Sequence, residues 1–480
     1  AGATQGGKGL YQADHICGVP KGTHRGSDVE CRAHHADGDA GFERDIPGFR
    51  GLRAMRVVCA PLMRDFDRRA SADLEVVLYS HADRKTRGAA GSGIVDAVQR
   101  LKLQPAPRAW DLLSIALAVI AADTSVRRST SPDGWTREID LCVAVADHTF
   151  WVSQIPLIER TLQFLTNDLW RCTFTSGGLS PAIPRPPTLP DEDCVALLSG
   201  GLDSLVGVLD LVAREKRRPI VVSQVSQGDK KTQSEFAAKI GGGLRHLQLN
   251  HNTTCPGENE RSQRSRSLVF LAYGVLAATS LNRYHEGQPV SLYVCENGFI
   301  SINPPLTTGR LGSLSTRTAH PVFLGLFQDL LDRAGLRVQI MNPYEFYTKG
   351  EMLAQCADQD SLRRNAHKAT SCGRFARHGY KHCGRCAPCL IRRAAFRAWG
   401  KTDRTIYTFR NLAQDDDDHA RFDDVRSAAM AVAQVRTEGL DSWLGTSLST
   451  ALLDDVAPYR QTVERGLQEL GRFLDSMGVT

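Results

Sequence analysis

Val195-Ala196-Leu197-Leu198 runs directly into Ser199-Gly200-Gly201-Leu202-Asp203-Ser204, and an apolar helical pattern follows at once over 204–214. A short strand with no polar face is buried on both sides, which places it inside a sheet covered by helices. The two glycines permit a tight strand-to-helix turn and let backbone N–H groups come close to an anion. The Ser199 and Ser204 hydroxyls and the helix N-terminus add donors, and Asp203 is placed to help hold Mg²⁺. A plain βα turn capped by Asp203 and Ser204 would explain the glycines alone. The full hexapeptide between an apolar strand and an apolar helix favours a phosphate site.

Around this turn the pattern alternates. Strands are expected at 220–225, 290–296 and 336–341, and helices at 232–244, 268–281 and 321–334. Alternation of that kind predicts an α/β fold, a doubly wound parallel sheet with helices on both faces, over 193–405. Ahead of it, 55–175 mixes strands (55–60, 74–80, 135–147) with helices (110–122, 157–170) and reads as an α+β accessory domain without a catalytic constellation. Between the two, 176–192 carries five prolines after Gly177-Gly178 and reads as a linker. Residues 406–480 form a polar helical tail. Residues 1–54, rich in Gly, His, Asp and Arg with few large apolar side chains, are expected to be a disordered leader, with folding starting near Met55.

The 480 residues suit two or three domains. The longest apolar runs, 112–122 and 268–279, fall short of the ~18–20 residues a membrane helix takes. With 59 basic and 53 acidic residues the balance is +6, too mild to argue for nucleic acid. No export signal is visible, so a reducing cytoplasm is the expected compartment. Of the thirteen cysteines, Cys372, Cys383, Cys386 and Cys389 crowd together as C-x10-C-x2-C-x2-C. In such a chain that spacing reads as a metal site and not a disulfide framework. Four thiolates satisfy a tetrahedral Zn²⁺ with no open position, which makes the site structural. Sulfur-only ligation also suits an iron–sulfur cluster, and spacing does not separate the two.

Ser199-Gly200-Gly201-Leu202-Asp203-Ser204 resembles the SGGxDS signature of the PP-loop ATP pyrophosphatases, which share the adenine nucleotide alpha hydrolase-like fold. With the downstream Cys372–Cys389 cluster, the Arg392-Arg393 pair after it and Thr348-Lys349-Gly350-Glu351, the chain is similar to QueC over about 193–405. QueC is a zinc enzyme that converts 7-carboxy-7-deazaguanine to 7-cyano-7-deazaguanine with ATP and ammonia. Arg266-Ser267 sits where that family places an Arg-Asn pair on the nucleotide. The substrate-side pattern departs: Cys295-Glu296-Asn297-Gly298-Phe299 and Arg317-Thr318-Ala319-His320-Pro321 replace the usual stretch. The longer architecture resembles QatC, the QueC-like component of the Qat antiphage defence operon.

The resemblance implies a ligase using ATP, Mg²⁺ and Zn²⁺ that adenylates a deazaguanine-type carboxylate and passes it to an amine, with a partner protein from the same operon. Ser199–Ser204, Arg266 and Ser267 would hold the nucleotide, Asp203 and Lys349 would be catalytic, and Glu296 and Asn297 would meet the substrate. Two other readings stay open on the residues alone. One is a tRNA-modifying PP-loop thiolase, for which no thiolation motif is evident. The other is a nonenzymatic ATP-binding scaffold, against which the intact loop speaks.

Overall fold

Strands and helices interleave from Met55 to Met341, and among the described residues every pairing between two strands is parallel. The structure is a computed structural model, and it describes residues 54–61, 72–83, 85–226, 228–307, 317–413, 424–444, 453 and 455–479. The leader expected over 1–54 lies outside the described residues, apart from Ala54.

The first sheet comprises β1 (Met55–Ala60), β2 (Leu74–Leu78), β3 (Gly88–Ala90), β4 (Glu138–Ala144) and β5 (Leu169–Thr175), in the order β3-β2-β1-β4-β5. Its helices are α1 (Ile94–Arg100), α2 (Pro107–Ser125), α3 (His148–Ser153) and α4 (Ile155–Thr166). The mixed α+β set expected here is therefore a wholly parallel sheet. Two strands account for the difference. β3 is three small residues without a readable period, and β5 follows so closely on α4 that helical periodicity runs into it. Asn167, at φ 58°, stops α4 in the left-handed region. Burial then alternates, with Trp170, Cys172 and Phe174 inward and Leu169, Arg171 and Thr173 outward.

The second sheet holds β6 (Cys194–Leu197), β7 (Pro219–Gln224), β8 (His246–Leu249), β9 (Val290–Tyr293) and β10 (Val338–Met341), in the order β10-β9-β6-β7-β8. β6 is buried throughout, as its unbroken apolar run requires. Its helices are α5 (Leu202–Ala213), α6 (Lys230–Lys239), α7 (Arg266–Ala278), α8 (Asn282–His285), α9 (Gly298–Ser301) and α10 (Pro321–Arg333). The chain winds one way from β6 through β7 to β8 and then the other way to β9 and β10. That reversal leaves a crevice beyond the carboxyl ends of β6 and β9, the place where open α/β sheets bind ligands. α11 (Lys349–Gln355), α12 (Gln359–Asn365) and α13 (Ala387–Trp399) follow. The helical tail is α14 (Asp424–Glu438), α15 (Leu440–Leu444) and α16 (Ala457–Ser476).

One apolar core spans both sheets. α2 lies against β2, β3 and β4 on one side and α7 on the other. Its residues from Ala109 to Thr124 are all buried, and its many alanines permit that close fit. At its C-terminal end Asp123, fully buried, takes Nη2 of Arg137 on Oδ1 at 2.6 Å. Its Oδ2 accepts from the backbone N of Arg264 (2.7 Å), the backbone N of Ser265 (2.9 Å) and Ser265 Oγ (2.7 Å). Arg137 also meets Asp168 at 2.6 Å, and Asp168 meets Arg128 at 2.8 Å. A carboxylate on the first sheet's helix thus fixes the approach to α7 of the second. Removing one partner of a buried pair strands a charge, so Arg137→Met is expected to cost about 3–5 kcal/mol. The urea midpoint reads this loss, and a change within about 0.5 kcal/mol, the surface-residue range, would contradict it.

Candidate active site at the switch point

The loop expected to cradle phosphate lies at the crevice, and its conformation depends on glycine. Gly200 has φ 87°, a left-handed value that favours glycine. The loop is fastened from outside. Thr370 N donates to Gly200 O at 2.9 Å, and Gln233 Nε2 on α6 donates to Ser199 O at 3.0 Å. Inside the turn Ser199 Oγ and Ser204 Oγ are 3.0 Å apart, and Gly201 N donates to Ser199 Oγ. Leu202 is buried and anchors the start of α5.

Beside this loop is a cavity of about 350 Å³. Ser199 and Ser204 border it from the loop, Arg266 and Ser267 from the first turn of α7, Glu296 from beyond β9, and Thr318 and Ala319 from the far wall. Asp203, Lys349 and Asn297 do not line it. They form a buried cluster behind Glu296. Lys349 Nζ is ion-paired with Asp203 Oδ1, Asn297 Nδ2 donates to Asp203 Oδ2 at 2.7 Å, and the Glu296 carboxyl lies beside Asp203. Asn297 also caps α9 by accepting from Ile300 N at 3.1 Å. Expected on the substrate side, Asn297 is placed to orient Asp203. Burial pushes the Glu296 carboxyl up to about 8; the Asp203 charge adds to the rise and Lys349 opposes it.

Lys349 stands at the start of α11, whose N-terminus is closed by a Thr348–Glu351 capping box. The tail helix α16 grips this turn. Arg465 Nε meets Glu351 at 2.7 Å, Thr462 Oγ1 donates to Phe346 O at 3.1 Å, and Glu469 accepts from Thr348 Oγ1 and from Gly350 N. A Cβ on Gly350 would lie 2.5 Å from Glu469 Oε1, so only glycine lets the carboxylate sit so close. Nothing in the tail's amphipathic sequence pattern signals this contact with the lysine-bearing turn.

The four cysteines converge as their spacing predicts. Their Sγ atoms all lie within 4.8 Å of one another, with Cys372–Cys386 and Cys383–Cys389 at 3.9 Å. A tetrahedron of about 2.3 Å Zn–S bonds has edges near these lengths and leaves no room for the irons and sulfides of a cluster. Backbone N–H groups of Arg374 and Cys383 point at Cys372 Sγ, and those of Arg385 and Cys386 at Cys383 Sγ, as thiolates require. The neighbouring His382 instead accepts from Ser371 N. Because Thr370 closes on Gly200, this knuckle buttresses the loop.

Five polar cavity residues lay outside the sequence reading: Gln224 at the end of β7, Ser226 and Asp229 before α6, and Gln263 and Arg264 before α7. Ser226 and Asp229 flank a helix start, which is the signal that a capping pattern offers.

The family model described as "Queuosine biosynthesis protein QueC" matches residues 318–400. The match begins at the cavity wall with Thr318, takes in Lys349, and ends beyond the four cysteines; the 199–204 loop precedes it. This part of the chain is similar to the QueC family. No curated protein and no solved structure matches the chain. No helix among the described residues is long and apolar enough to cross a membrane.

Metal analysis by inductively coupled plasma is expected to find one zinc per chain, and Cys386→Ser to lose most of it; iron in its place would refute the zinc assignment, and iron with inorganic sulfide would refute the single-ion fit as well. Glu296 keeps its proton in the folded chain up to about pH 8 but loses it near 4.5 when unfolded. Its stabilising contribution is therefore complete below 4.5 and is lost as pH rises through 8. Glu296→Gln is expected to gain thermal stability over the parent progressively from pH 5 to pH 8. A gap that does not change with pH would count against the shift.

Proposed function

We propose that the chain is a QueC-like ATP-dependent ligase that activates a carboxylate, 7-carboxy-7-deazaguanine or a close relative, and joins it to nitrogen as an amide or nitrile. The observation that carries this reading is the Ser199–Ser204 loop opening onto one cavity with the Lys349–Asp203–Glu296 cluster behind it, in a chain whose 318–400 region is QueC-like. In this reading the loop and Arg266 bind the phosphates. The substrate carboxylate oxygen attacks the α-phosphorus, the bond to pyrophosphate breaks, and an acyl-adenylate forms. The amine nitrogen then attacks the acyl carbon, the bond to AMP breaks, and the nitrogen gives up a proton, leaving the amide; with ammonia as the amine, a nitrile forms when a second ATP adenylates the amide oxygen, which departs as AMP as the nitrogen gives up its remaining two protons.

Lys349, held beside the loop by Asp203, offsets the charge that grows on the phosphates. The Asp203 carboxylate is the kind of hard oxygen donor a magnesium ion takes, and such an ion, bound with ATP, would screen the phosphates. Glu296, uncharged near neutrality, offers the substrate an O–H donor beside a carbonyl acceptor, which suits the N–H and oxygen edge of a guanine-like ring. Zinc at the four cysteines is structural and holds the Thr370 buttress. The additional parallel sheet and the tail go beyond the QueC-like region, and on the resemblance of this longer architecture to QatC the reading includes an antiphage setting with an operon partner whose amine would serve as acceptor.

The test is AMP release from ATP with and without 7-carboxy-7-deazaguanine, with mass spectrometry of the products and of co-purified protein. AMP that depends on the acid is the expected result, and Asp203→Asn is expected to lower it about 10²-fold or more with the fold intact. No AMP with any carboxylate would overturn the ligase reading and favour a scaffold that only binds ATP.

A further inference from the structure

Three buried polar atoms of cavity-lining residues have no hydrogen-bond partner among the described residues: Gln224 Nε2, Asp229 Oδ1 and Ser267 Oγ. Each such atom costs about 1–3 kcal/mol when left unpaired, and native proteins hold few of them. Their gathering around one cavity calls for an occupant that supplies partners. Asp229 carries a second sign. It stands at the N-cap position of α6, where an aspartate normally accepts from the first-turn N–H groups, yet its side chain makes no capping bond. Its Oδ2 instead accepts from Ser226 Oγ at 2.5 Å, which orients the carboxylate and leaves Oδ1 without a partner.

Gln224 is likewise held by its backbone alone. Its carbonyl accepts from Gln233 Nε2 at 3.1 Å, the same amide that reaches Ser199 O, so strand end, helix and phosphate loop are locked together. A Cβ on Gly200 would lie 3.4 Å from Asp229 Cβ, so this corner adjoins the loop. Leu197, Phe270 and Leu271 give the cavity apolar walls suited to a flat ring.

We propose that Gln224 and Asp229 read the base of the nucleotide and select a 6-aminopurine, with Ser267 adding a hydrogen bond from the opposite wall; this rests on the ATP reading above. Asp229 Oδ1 accepts from the exocyclic amino group, and Gln224 Nε2 donates to the adjacent ring nitrogen. A 6-oxopurine reverses both partners. Its carbonyl oxygen would face the carboxylate, and its ring N–H would face the amide N–H. Sites that leave buried polar groups unpaired in this way discriminate strongly.

Calorimetric titration of the full chain with ATP, inosine triphosphate and inorganic pyrophosphate tests the assignment. ATP is expected to bind about tenfold or more tighter than inosine triphosphate. Asp229→Asn, which can donate where the parent only accepts, is expected to bring the two nucleotides close to parity with pyrophosphate binding kept. Gln224→Leu removes an amide that has no partner, so it is expected to melt at or above the parent temperature while losing about tenfold in ATP affinity. If Asp229→Asn does not fold, Gln224→Leu decides. Equal binding of both nucleotides by the parent, or an unchanged ratio in the folded variants, overturns the base assignment and leaves the ATP reading standing. Failure of ATP, inosine triphosphate and pyrophosphate alike to bind overturns both.

Discussion

The buried Asp123 carboxylate ties the molecule together. It belongs to the helix that covers the first sheet, yet three of its four hydrogen bonds go to Arg264 and Ser265, immediately before α7. Arg137 neutralises it and passes the charge on to Asp168 and Arg128. A charge so deeply buried is tolerable only with every oxygen paired. The same pairing sets where Arg266 and Ser267 stand at the cavity. The first sheet is accordingly part of the site's scaffold, sharing one core with the second sheet while contributing no side chain to the cavity wall.

A comparable economy governs the other side of the cavity. Asp203 sits in the first turn of α5 and is met by a lysine from α11, an asparagine from the start of α9 and a second carboxyl at Glu296. α11 is held in turn by the tail helix through Glu469 and Arg465. The tail therefore holds this cluster in place without touching the cavity. The cysteine knuckle does the same from a third direction, through Thr370 on Gly200.

Local patterns were legible wherever one period dominated. The apolar run of β6, the glycine turn and the cysteine spacing each name their own structure, because backbone sterics, burial on two faces and tetrahedral ligation act over a few residues. β3 and β5 were missed for an equally local reason. The small residues of β3 carry no period, and β5 starts three residues after a helix ends. Glu296 was picked out from its place after a strand, but its meeting with Asp203, which raises its proton affinity, is a contact between distant segments. Asn297 stood out for the same reason and proved to orient a carboxylate behind the cavity wall.

By itself the sequence determined the parallel α/β character of 193–405, the phosphate-type turn and the four-thiolate centre, since each follows from short-range sterics and ligand number. Only the tertiary structure decided which polar atoms were left without partners. Whether Gln224, Asp229 and Ser267 are satisfied depends on what β6, α6 and α7 bring against them, and hydrogen bonding is settled by neighbours that are far apart in the chain. The same is true of the Asp123 bridge, where a helix of one sheet supplies the acceptor for a backbone turn of the other.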